Sequence, residues 1–360
     1  MKKLSYVGER VSVGIDVHVR SYHVTSVVGG VVVERASMRA RREELLGYLK
    51  GRFEGAEVHT AYEAGFSGFW LHRCLESAGY RSMVVHAAGI EVSSRERVKT
   101  DKRDSQKIAL QLDAGRLKGV RVPSEAEEAA RVLHRTRAQL AKKKRSVMVQ
   151  IRMRLYQFGV ELERSERVLS VKTVRGALLS GRLPTGAAFG VERLVSVWRA
   201  VVAEMRLVDR KLREQAAADP LEERYRSVPG VGALTARVLS TELGDLSQFS
   251  NERQLFSFVG LTPSERSSGE AKGRRGHITR QGSAQLRQVL VEAAWNATKN
   301  NPELKREFLR LAARVGRKRA IVAIARKLLG RMRAMLASDK NYRTQRALKR
   351  ELKQELKLAA

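Results

Sequence analysis

The sequence is poor in cysteine and in long apolar runs, and each shortage excludes a class of protein. Cys74 is the single cysteine, which excludes a disulfide framework and a zinc site built from several cysteines. No apolar run approaches the length needed to span a membrane. The opening residues MKKLSYVGERVSV lack the apolar core of a signal peptide. We therefore expect a cytoplasmic protein that does not enter a membrane.

Acidic residues are also scarce relative to basic ones. The chain has 360 residues, with 70 Lys and Arg against 38 Asp and Glu, which gives a net charge of +32. A charge excess of this size predicts a polyphosphate partner, with a membrane surface as the weaker alternative. The length suggests two or three domains, each large enough to bury a core of its own.

Two of the few acids stand close together in the basic stretch VKTDKRDSQKIA. Asp101 and Asp104 are three residues apart, a spacing at which like charges repel on a helix. Thr100 is placed to cap a helix that carries both acids. A divalent cation would offset the repulsion, so this helix start is a candidate metal-binding segment.

The first hundred residues predict the element order βββαβαβα and hence a mixed sheet. RVSVGIDVHV alternates apolar and polar residues as a half-buried strand does, and Gly29-Gly30 separates YHVTSVV from VVVERASM as a hairpin turn does. RREELLGYLKGRF and GFWLHRCLESAG have helical spacing. AEVHTAYEAG and YRSMVVHA predict the fourth and fifth strands.

Four acids of this region are expected to meet at one edge of the sheet. Asp16 lies on the first strand, Glu63 ends the fourth, and Asp101 and Asp104 share one helical face. Taken singly, each acid is more typical of a solvated surface. VGIDVH, however, places its acid in an apolar strand, where an unpaired carboxylate is costly. Hard oxygen ligands select Mg²⁺ or Mn²⁺, and two such ions stabilise both oxygens of a phosphoryl displacement.

The middle of the chain predicts helices. Apolar residues recur from Leu133 to Phe158 at the spacing of a long coiled-coil-like helix. A solvated face and a phosphate-contacting face are both compatible with its basic residues, among them Lys142, Lys143, Lys144 and Arg145. Glycines and Pro184 near residues 176–186 interrupt the pattern and predict a linker before a second amphipathic helix.

The last part of the chain combines a glycine-containing turn with a basic loop. VPGVG between two helical stretches resembles a helix-hairpin-helix, which brings backbone N–H groups to a phosphate, although a plain turn is the alternative. The segment that follows contains Ser267 and Ser268, and spacing alone indicates only a flexible loop. The basic residues in and beside it are candidate nucleic-acid contacts: Arg266, Lys272, Arg274, Arg275, Arg280 and Arg287.

These motifs together resemble one family. GIDVH, YEAG and TDKRDSQKIA are similar to the amino-terminal domain of the DEDD transposases of the insertion sequence one-ten family, including its one-one-one-one branch. VPGVG, FVGLTPSE, SSGE, GHITRQGS and LRQVLVEAAW resemble its carboxy-terminal domain. The resemblance implies an α/β plus all-α chain: a ribonuclease-H-like (RuvC-type) domain at 8–122, a helical coiled-coil and linker region at 123–222, and a mostly helical serine transposase domain at 223–338. A basic tail at 339–360 carries no family motif.

The resemblance also implies an activity. Members cut and rejoin DNA through a covalent phosphoserine link, with Mg²⁺ or Mn²⁺ held by residues that correspond to Asp16, Glu63, Asp101 and Asp104. The nucleophile corresponds to Ser268, with Ser267 as the adjacent alternative, because Glu270 stands where many relatives have glycine. Relatives assemble a composite site between protomers of a homo-oligomer (dimer or tetramer). They use a structured bridge RNA to pair with donor and target DNA.

Two other functions fit parts of the sequence. A metal-dependent Holliday-junction resolvase-like nuclease would use the four acids with water and would need no serine. A non-enzymatic basic nucleic-acid-binding protein would explain the charge, but such a protein gains nothing from converging carboxylates.

Overall fold

The computed structural model describes residues 5–91, 101–160, 169–266, 274–338 and 341–342, with only the backbone described at 101, 102, 265, 266, 274 and 275. The chain divides into two compact units, residues 1–123 and 124–360. The further boundaries predicted from the sequence inside the second unit stay predictions. Among the described residues, no helix is both long and apolar enough to cross a lipid bilayer.

The first unit is a five-stranded mixed sheet with helices, and the predicted element order is confirmed. Its strands occur in the order β3-β2-β1-β4-β5. β1 pairs antiparallel with β2 and parallel with β4. The elements are β1 (Arg10–Val17), β2 (Ser21–Val28), β3 (Val31–Arg39), α1 (Arg42–Arg52), β4 (Glu57–Glu63), α2 (Trp70–Ser77), β5 (Arg81–Val85) and α3 (Asp101–Asp113). The ribonuclease-H-like assignment of this sheet stays a prediction.

Each face of the sheet has its own apolar core. Val11, Val13 and Ile15 of β1 point to one face, where they pack with leucines of α1 and α2. The alternation of the strand sends the intervening residues to the other face. There Ala61 and Val85 pack with Ile108 and Leu112 of α3. The regular alternation of RVSVGIDV is therefore what lets helices cover both faces.

Gly14 fixes how closely α3 approaches the central strand. A Cβ atom at Gly14 would lie 2.2 Å from the carbonyl oxygen of Ser105 and 2.4 Å from the amide nitrogen of Ala109. Ser105 is itself buried, and its hydroxyl lies 2.9 Å from Thr25 Oγ1 on β2. Only a residue without a side chain allows this contact, so Gly14 sets the position of the first turns of α3 over β1.

The described part of the second unit is helical apart from one hairpin. Its elements are α4 (Glu125–Gln157), α5 (Val171–Leu179), α6 (Thr185–Ala217), α7 (Pro220–Arg226), α8 (Ala233–Leu243), α9 (Glu252–Val259), β6 (Pro263–Arg266), β7 (Arg274–Ile278), α10 (Ala284–Asn300), α11 (Pro302–Val315) and α12 (Arg317–Ala337).

The predicted long helix is present as α4, and it pairs antiparallel with α6. Ile151 and Leu155 pack in one cluster with Val195 and Trp198. Farther along the pair, Arg137 Nε donates to Asp209 Oδ1 at 2.6 Å. These contacts make α4 and α6 a two-helix hairpin held by an apolar seam.

The predicted linker around residues 176–186 is wrong in part, because helix α5 runs through Gly176. Ser170 caps this helix by accepting a hydrogen bond from the Thr173 amide, and Val174 is fully buried. A capping hydrogen bond and a buried side chain outweigh the roughly 1 kcal/mol that a glycine costs inside a helix.

The VPGVG turn lies between α7 and α8 and packs on α10. Gly230 has φ of +83°, and a Cβ atom there would lie 2.2 Å from the carbonyl oxygen of Ala293. Both the conformation and the close approach require glycine. Packing thus explains this glycine, and the helix-hairpin-helix assignment stays a prediction.

Candidate active site

Asp16 and Glu63 stand at the carboxyl ends of two neighbouring parallel strands. The register pairs Ile15 of β1 with Tyr62 of β4, so the next step along both strands sets Asp16 beside Glu63. Partners in a parallel pair point to the same face of the sheet. Asp16 and Glu63 point to the face of the sheet that contains Gly14, opposite the face to which Ile15 points. The sheet therefore brings two of the predicted residues together.

Helix α3 brings its first turn to the same edge. Ser12 Oγ donates to Asp113 Oδ1 at 2.9 Å near the end of α3, and Gly14 lies under Ser105. The helix thus runs antiparallel to β1. From Gly14 to Asp16 the strand advances ~6.6 Å, which equals the rise of about four helical residues. Counted back along α3 from the residues above Gly14, four residues lead to the first turn, which starts at Asp101.

Two of the four acids have a histidine or a lysine beside them. His18 Nε2 lies 3.1 Å from Asp16 Oδ2, and Lys107 Nζ donates to Asp104 Oδ1 at 3.2 Å. Glu63 is exposed, and the side chain of Asp101 is outside the described part. Among described side chains, no three acids, histidines or cysteines form a group close enough to hold a metal ion. The edge supplies carboxylate oxygens, the ligands that Mg²⁺ and Mn²⁺ prefer.

His18 and Lys107 are contacts that sequence reasoning missed. Their spacing was the available signal, since His18 is two residues from Asp16, just beyond the end of β1, and Lys107 is three residues from Asp104 on α3. Asp16 and Asp104 therefore each have a basic neighbour close in sequence.

Ser268 lies in the segment 267–273, outside the described residues, together with Ser267 and Lys272. The strands on either side of this segment, β6 and β7, pair antiparallel, with Arg266 opposite Arg274. Ser264 Oγ donates to the carbonyl oxygen of His277 at 2.9 Å, which adds a tie across the hairpin. The hairpin therefore holds the two ends of the serine segment side by side.

The predicted nucleic-acid contacts differ in their surroundings. On α4, Lys142, Lys143 and Arg145 are exposed and Lys144 is half-buried. Only the backbone of Arg266, Arg274 and Arg275 is described, and Arg280 is exposed.

Arg287 differs because its guanidinium has partners within its own unit. It donates to the carbonyl oxygens of Val259 and Gly282 at 3.3 and 3.0 Å. Those two bonds join α10 to the turns before it, which gives Arg287 a structural task.

The second unit also contains a buried ionic cluster that the sequence did not predict. Glu242 of α8 accepts two hydrogen bonds from Arg135 of α4, at 2.8 and 2.9 Å. His134 lies beside it with Nε2 3.4 Å from Glu242 Oε1, and Gln285 Nε2 lies 3.0 Å from His134 Nδ1. Burial lowers the pKa of His134 to about 4, although Glu242 acts in the opposite direction. The cluster anchors α4 to α8 and α10.

Two family models match this chain, one over the four acids and one over the two serines. A transposase model of the DEDD type, named for IS110, matches residues 13–159, the range with all four acids. The model described as the transposase IS116/IS110/IS902 family matches residues 222–309, which include both serines. The chain belongs to the IS110 family of transposases.

Several relatives of this IS110-family chain are themselves named as transposases. The putative transposase y4qE of Sinorhizobium fredii is 32% identical over 247 residues, 69% of this chain and 60% of that protein. The transposase for insertion sequence element IS1111A of Coxiella burnetii is 28% identical, over 68% of each chain. The transposase for IS1533 of Leptospira borgpetersenii is 27% identical over 79% of this chain and 85% of its own length. This chain therefore matches less than two thirds of the length of y4qE.

Proposed function

We propose that this protein is the transposase of an insertion element and that it cuts and rejoins DNA strands. The observation that carries the proposal is the parallel register of β1 and β4, whose last partners, Ile15 and Tyr62, directly precede Asp16 and Glu63. Converging carboxylates are unfavourable unless they bind a cation. Membership of a DEDD transposase family supports a DNA substrate.

The four acids Asp16, Glu63, Asp101 and Asp104 would hold Mg²⁺ or Mn²⁺. Bound there, the ions supply Lewis-acid stabilisation of the charge that develops on the reacting phosphate. The chain's own residues then have defined tasks. With a cation on Asp104, Lys107 would exchange its bond to that acid for a contact with the DNA backbone, and His18 would orient Asp16 through the 3.1 Å contact.

We propose Ser268 as the nucleophile, with Ser267 as the alternative in the adjacent register. The serine Oγ loses its proton and bonds to phosphorus, while the bond from phosphorus to one deoxyribose oxygen breaks and that oxygen takes up a proton. The reaction leaves a phosphoserine ester, which a DNA hydroxyl attacks in turn to rejoin strands. Arg266 and Arg274 flank the serine segment in sequence, and arginine stabilises phosphate charge.

We further propose a homo-oligomer, a dimer or a tetramer, that carries a structured bridge RNA. The net charge of +32 supports polyanionic partners in addition to the DNA being cut. The α4–α6 hairpin leaves apolar side chains exposed, among them Val149, Met153 and Phe189. Such side chains along one hairpin support contact with another chain.

The experiment follows the DNA ends with donor and target DNA, bridge RNA and Mg²⁺. We expect wild-type protein to become covalently attached to the cut strand, with the phosphate mapped to Ser268. Ser268→Ala should lose attachment and strand exchange, whereas the matched control Ser267→Ala should keep most of both.

The rival nuclease predicts a different outcome. Free DNA ends without any adduct, together with full cutting by Ser268→Ala, would replace the transposase mechanism by hydrolysis. An adduct on Ser267 would keep the mechanism and move the nucleophile by one residue. Normal DNA binding without any cutting by wild-type protein would favour the non-enzymatic alternative.

A further inference from the structure

The loop that follows Glu63 presents two aromatic side chains to solvent. It joins β4 to α2, and it contains Phe66, whose exposed fraction is 69%. Trp70, the first residue of α2, is 45% exposed. Most other large apolar side chains of this unit are buried in its two cores. Phe69 of the same loop shows that inward packing is available, because it packs against the core beside α2.

Hydrogen bonds fix this loop at both ends. The Gly68 amide donates to the Gly65 carbonyl oxygen at 3.2 Å, which closes a turn with Phe66 at its tip. The buried Tyr62 hydroxyl donates to the carbonyl oxygen of Gly68 and accepts from the His72 amide, both at 3.1 Å. The Ala64 amide donates to Val85. The Phe66 ring is therefore held out on an ordered turn.

Position distinguishes this pair from ordinary exposed apolar residues. Single exposed apolar side chains are common and need no explanation. Here two aromatic residues lie within one short segment that begins directly after a proposed catalytic acid. Three residues of chain span at most ~10 Å, so Phe66 stays within that distance of Glu63. A phosphate at the acidic edge thus brings its neighbouring nucleotides within reach of the ring.

We propose that Phe66 stacks on a base of the DNA strand next to the phosphate that is cut, with Trp70 as a second aromatic surface beside it. The proposal rests on the proposed function, because it needs DNA at the acidic edge. Every base has a π face, so an aromatic ring binds an unpaired base without selecting its sequence. The ring stabilises the opened base next to the cut, and it acts as a positioning residue for the scissile phosphate.

The test places the fluorescent base analogue 2-aminopurine next to the cut and follows fluorescence and cleavage together in Mg²⁺. Wild-type protein should raise the fluorescence on opening the base and then change it again as the ring stacks, before the strand is cut. Phe66→Ala should remove the stacking phase and slow cleavage on the order of tenfold. Phe66→Trp should restore both.

A matched control is Val31→Ala. Val31 is 65% exposed and lies beside the turn between β2 and β3, at the end of the sheet away from Asp16. It should match wild type in both measurements. A substrate with a mismatch at the cut, whose base is already unpaired, should restore much of the cleavage by Phe66→Ala. Thermal unfolding of Phe66→Ala should resemble that of Val31→Ala, which separates stacking from folding.

Three results would overturn the inference: unchanged fluorescence and cleavage in Phe66→Ala, an equal loss on paired and mismatched DNA, or failure of Phe66→Trp to restore the stacking phase. The measurement on wild-type protein tests the proposed function on its own. If wild-type protein does not cut in Mg²⁺, it is the proposed function that fails, before any Phe66 variant is compared.

Discussion

The two units of this protein use acidic residues in opposite ways, and the difference separates structural acids from candidate catalytic ones. Glu242 in the second unit is 5% exposed and is bound at both oxygens by Arg135. Asp104 in the first unit is 23% exposed, and its carboxylate lies 3.2 Å from the ammonium group of Lys107. A buried acid with bidentate arginine is fixed in place, whereas a half-exposed acid beside a lysine can exchange that lysine for another cation.

The largest expected effect contrasts these two acids directly. Asp104→Asn should lower metal-dependent DNA cutting by about a hundredfold or more, because an amide is a poor ligand for Mg²⁺. Its stability should change by about 1 kcal/mol, because the ion pair with Lys107 is only partly buried. Glu242→Gln should lower the free energy of unfolding by about 2 kcal/mol, because a nearly buried carboxylate loses its charge-assisted bidentate bonds to Arg135.

Cleavage assays and denaturant unfolding of both purified variants measure this contrast. Glu242→Gln should cut DNA at the wild-type rate per folded molecule. If Asp104→Asn retained normal cutting, or if Glu242→Gln unfolded like wild type, the distinction between the two kinds of acid would be wrong.

A smaller effect is expected from the contact that positions the acidic edge. Gly14→Ala should destabilise the first unit by about 2 kcal/mol, because its Cβ would overlap the backbone of α3 at 2.2 Å. It should also slow cutting, since α3 carries Asp101 and Asp104.

Gly47 in α1 is the matched control, because a Cβ there meets nothing within 4 Å. Gly47→Ala should stabilise the protein by about 0.5–1 kcal/mol through its higher helix propensity. Unfolding midpoints and cleavage rates of Gly14→Ala and Gly47→Ala measure whether the close contact at Gly14 matters. Equal effects at Gly14 and Gly47 would show that α3 tolerates displacement from β1.

The last expected effect depends on pH and concerns the buried cluster of the second unit. Because the pKa of folded His134 is about 4, below its usual 6.5, the unfolded chain takes up a proton more readily than the folded one. The contribution of His134 to stability is therefore complete above pH 6.5 and falls as the pH drops toward 4. Between pH 7 and pH 5 the loss should be about 2 kcal/mol.

Denaturant unfolding at both pH values measures this loss, with His134→Gln as the reference that lacks the titrating group. The difference in pH dependence between wild type and variant isolates His134 from other groups. The facing groups Glu242, Arg131, Arg135 and Arg237 are present in both proteins. Identical pH dependence would mean that His134 titrates alike in the folded and unfolded chains.

The sequence predicted the strands well because their signal is local. Alternation in RVSVGIDV and the turn at Gly29-Gly30 depend on neighbouring residues, and the strands formed where expected. The Gly14 contact depends on α3, about ninety residues away, and no local pattern reports it. The Glu242 cluster likewise joins distant helices. The linker prediction at Gly176 was wrong because glycine disfavours a helix locally. The burial of Val174, which the sequence pattern does not show, stabilises the helix there.

The candidate site divides in the same way. Family motifs and strand order predicted that Asp16 and Glu63 would lie near one helix start, and the register places the two strand ends side by side. The basic partners His18 and Lys107 were missed, because a charged contact between nearby side chains looks like an ordinary surface pair in sequence. Ser268 stays a prediction.

The parallel pairing of β1 with β4 has a consequence for how the chain is made. The β1–β2–β3 hairpins form from contacts between neighbours, but parallel pairing needs α1 and the long connection to close first. Asp16 meets Glu63 only after that closure, and α3 joins later still because it follows both strands. A ribosome-bound chain that has released only its first hairpins therefore carries scattered acids without an acidic edge, so the proposed metal site is among the last parts of this unit to form.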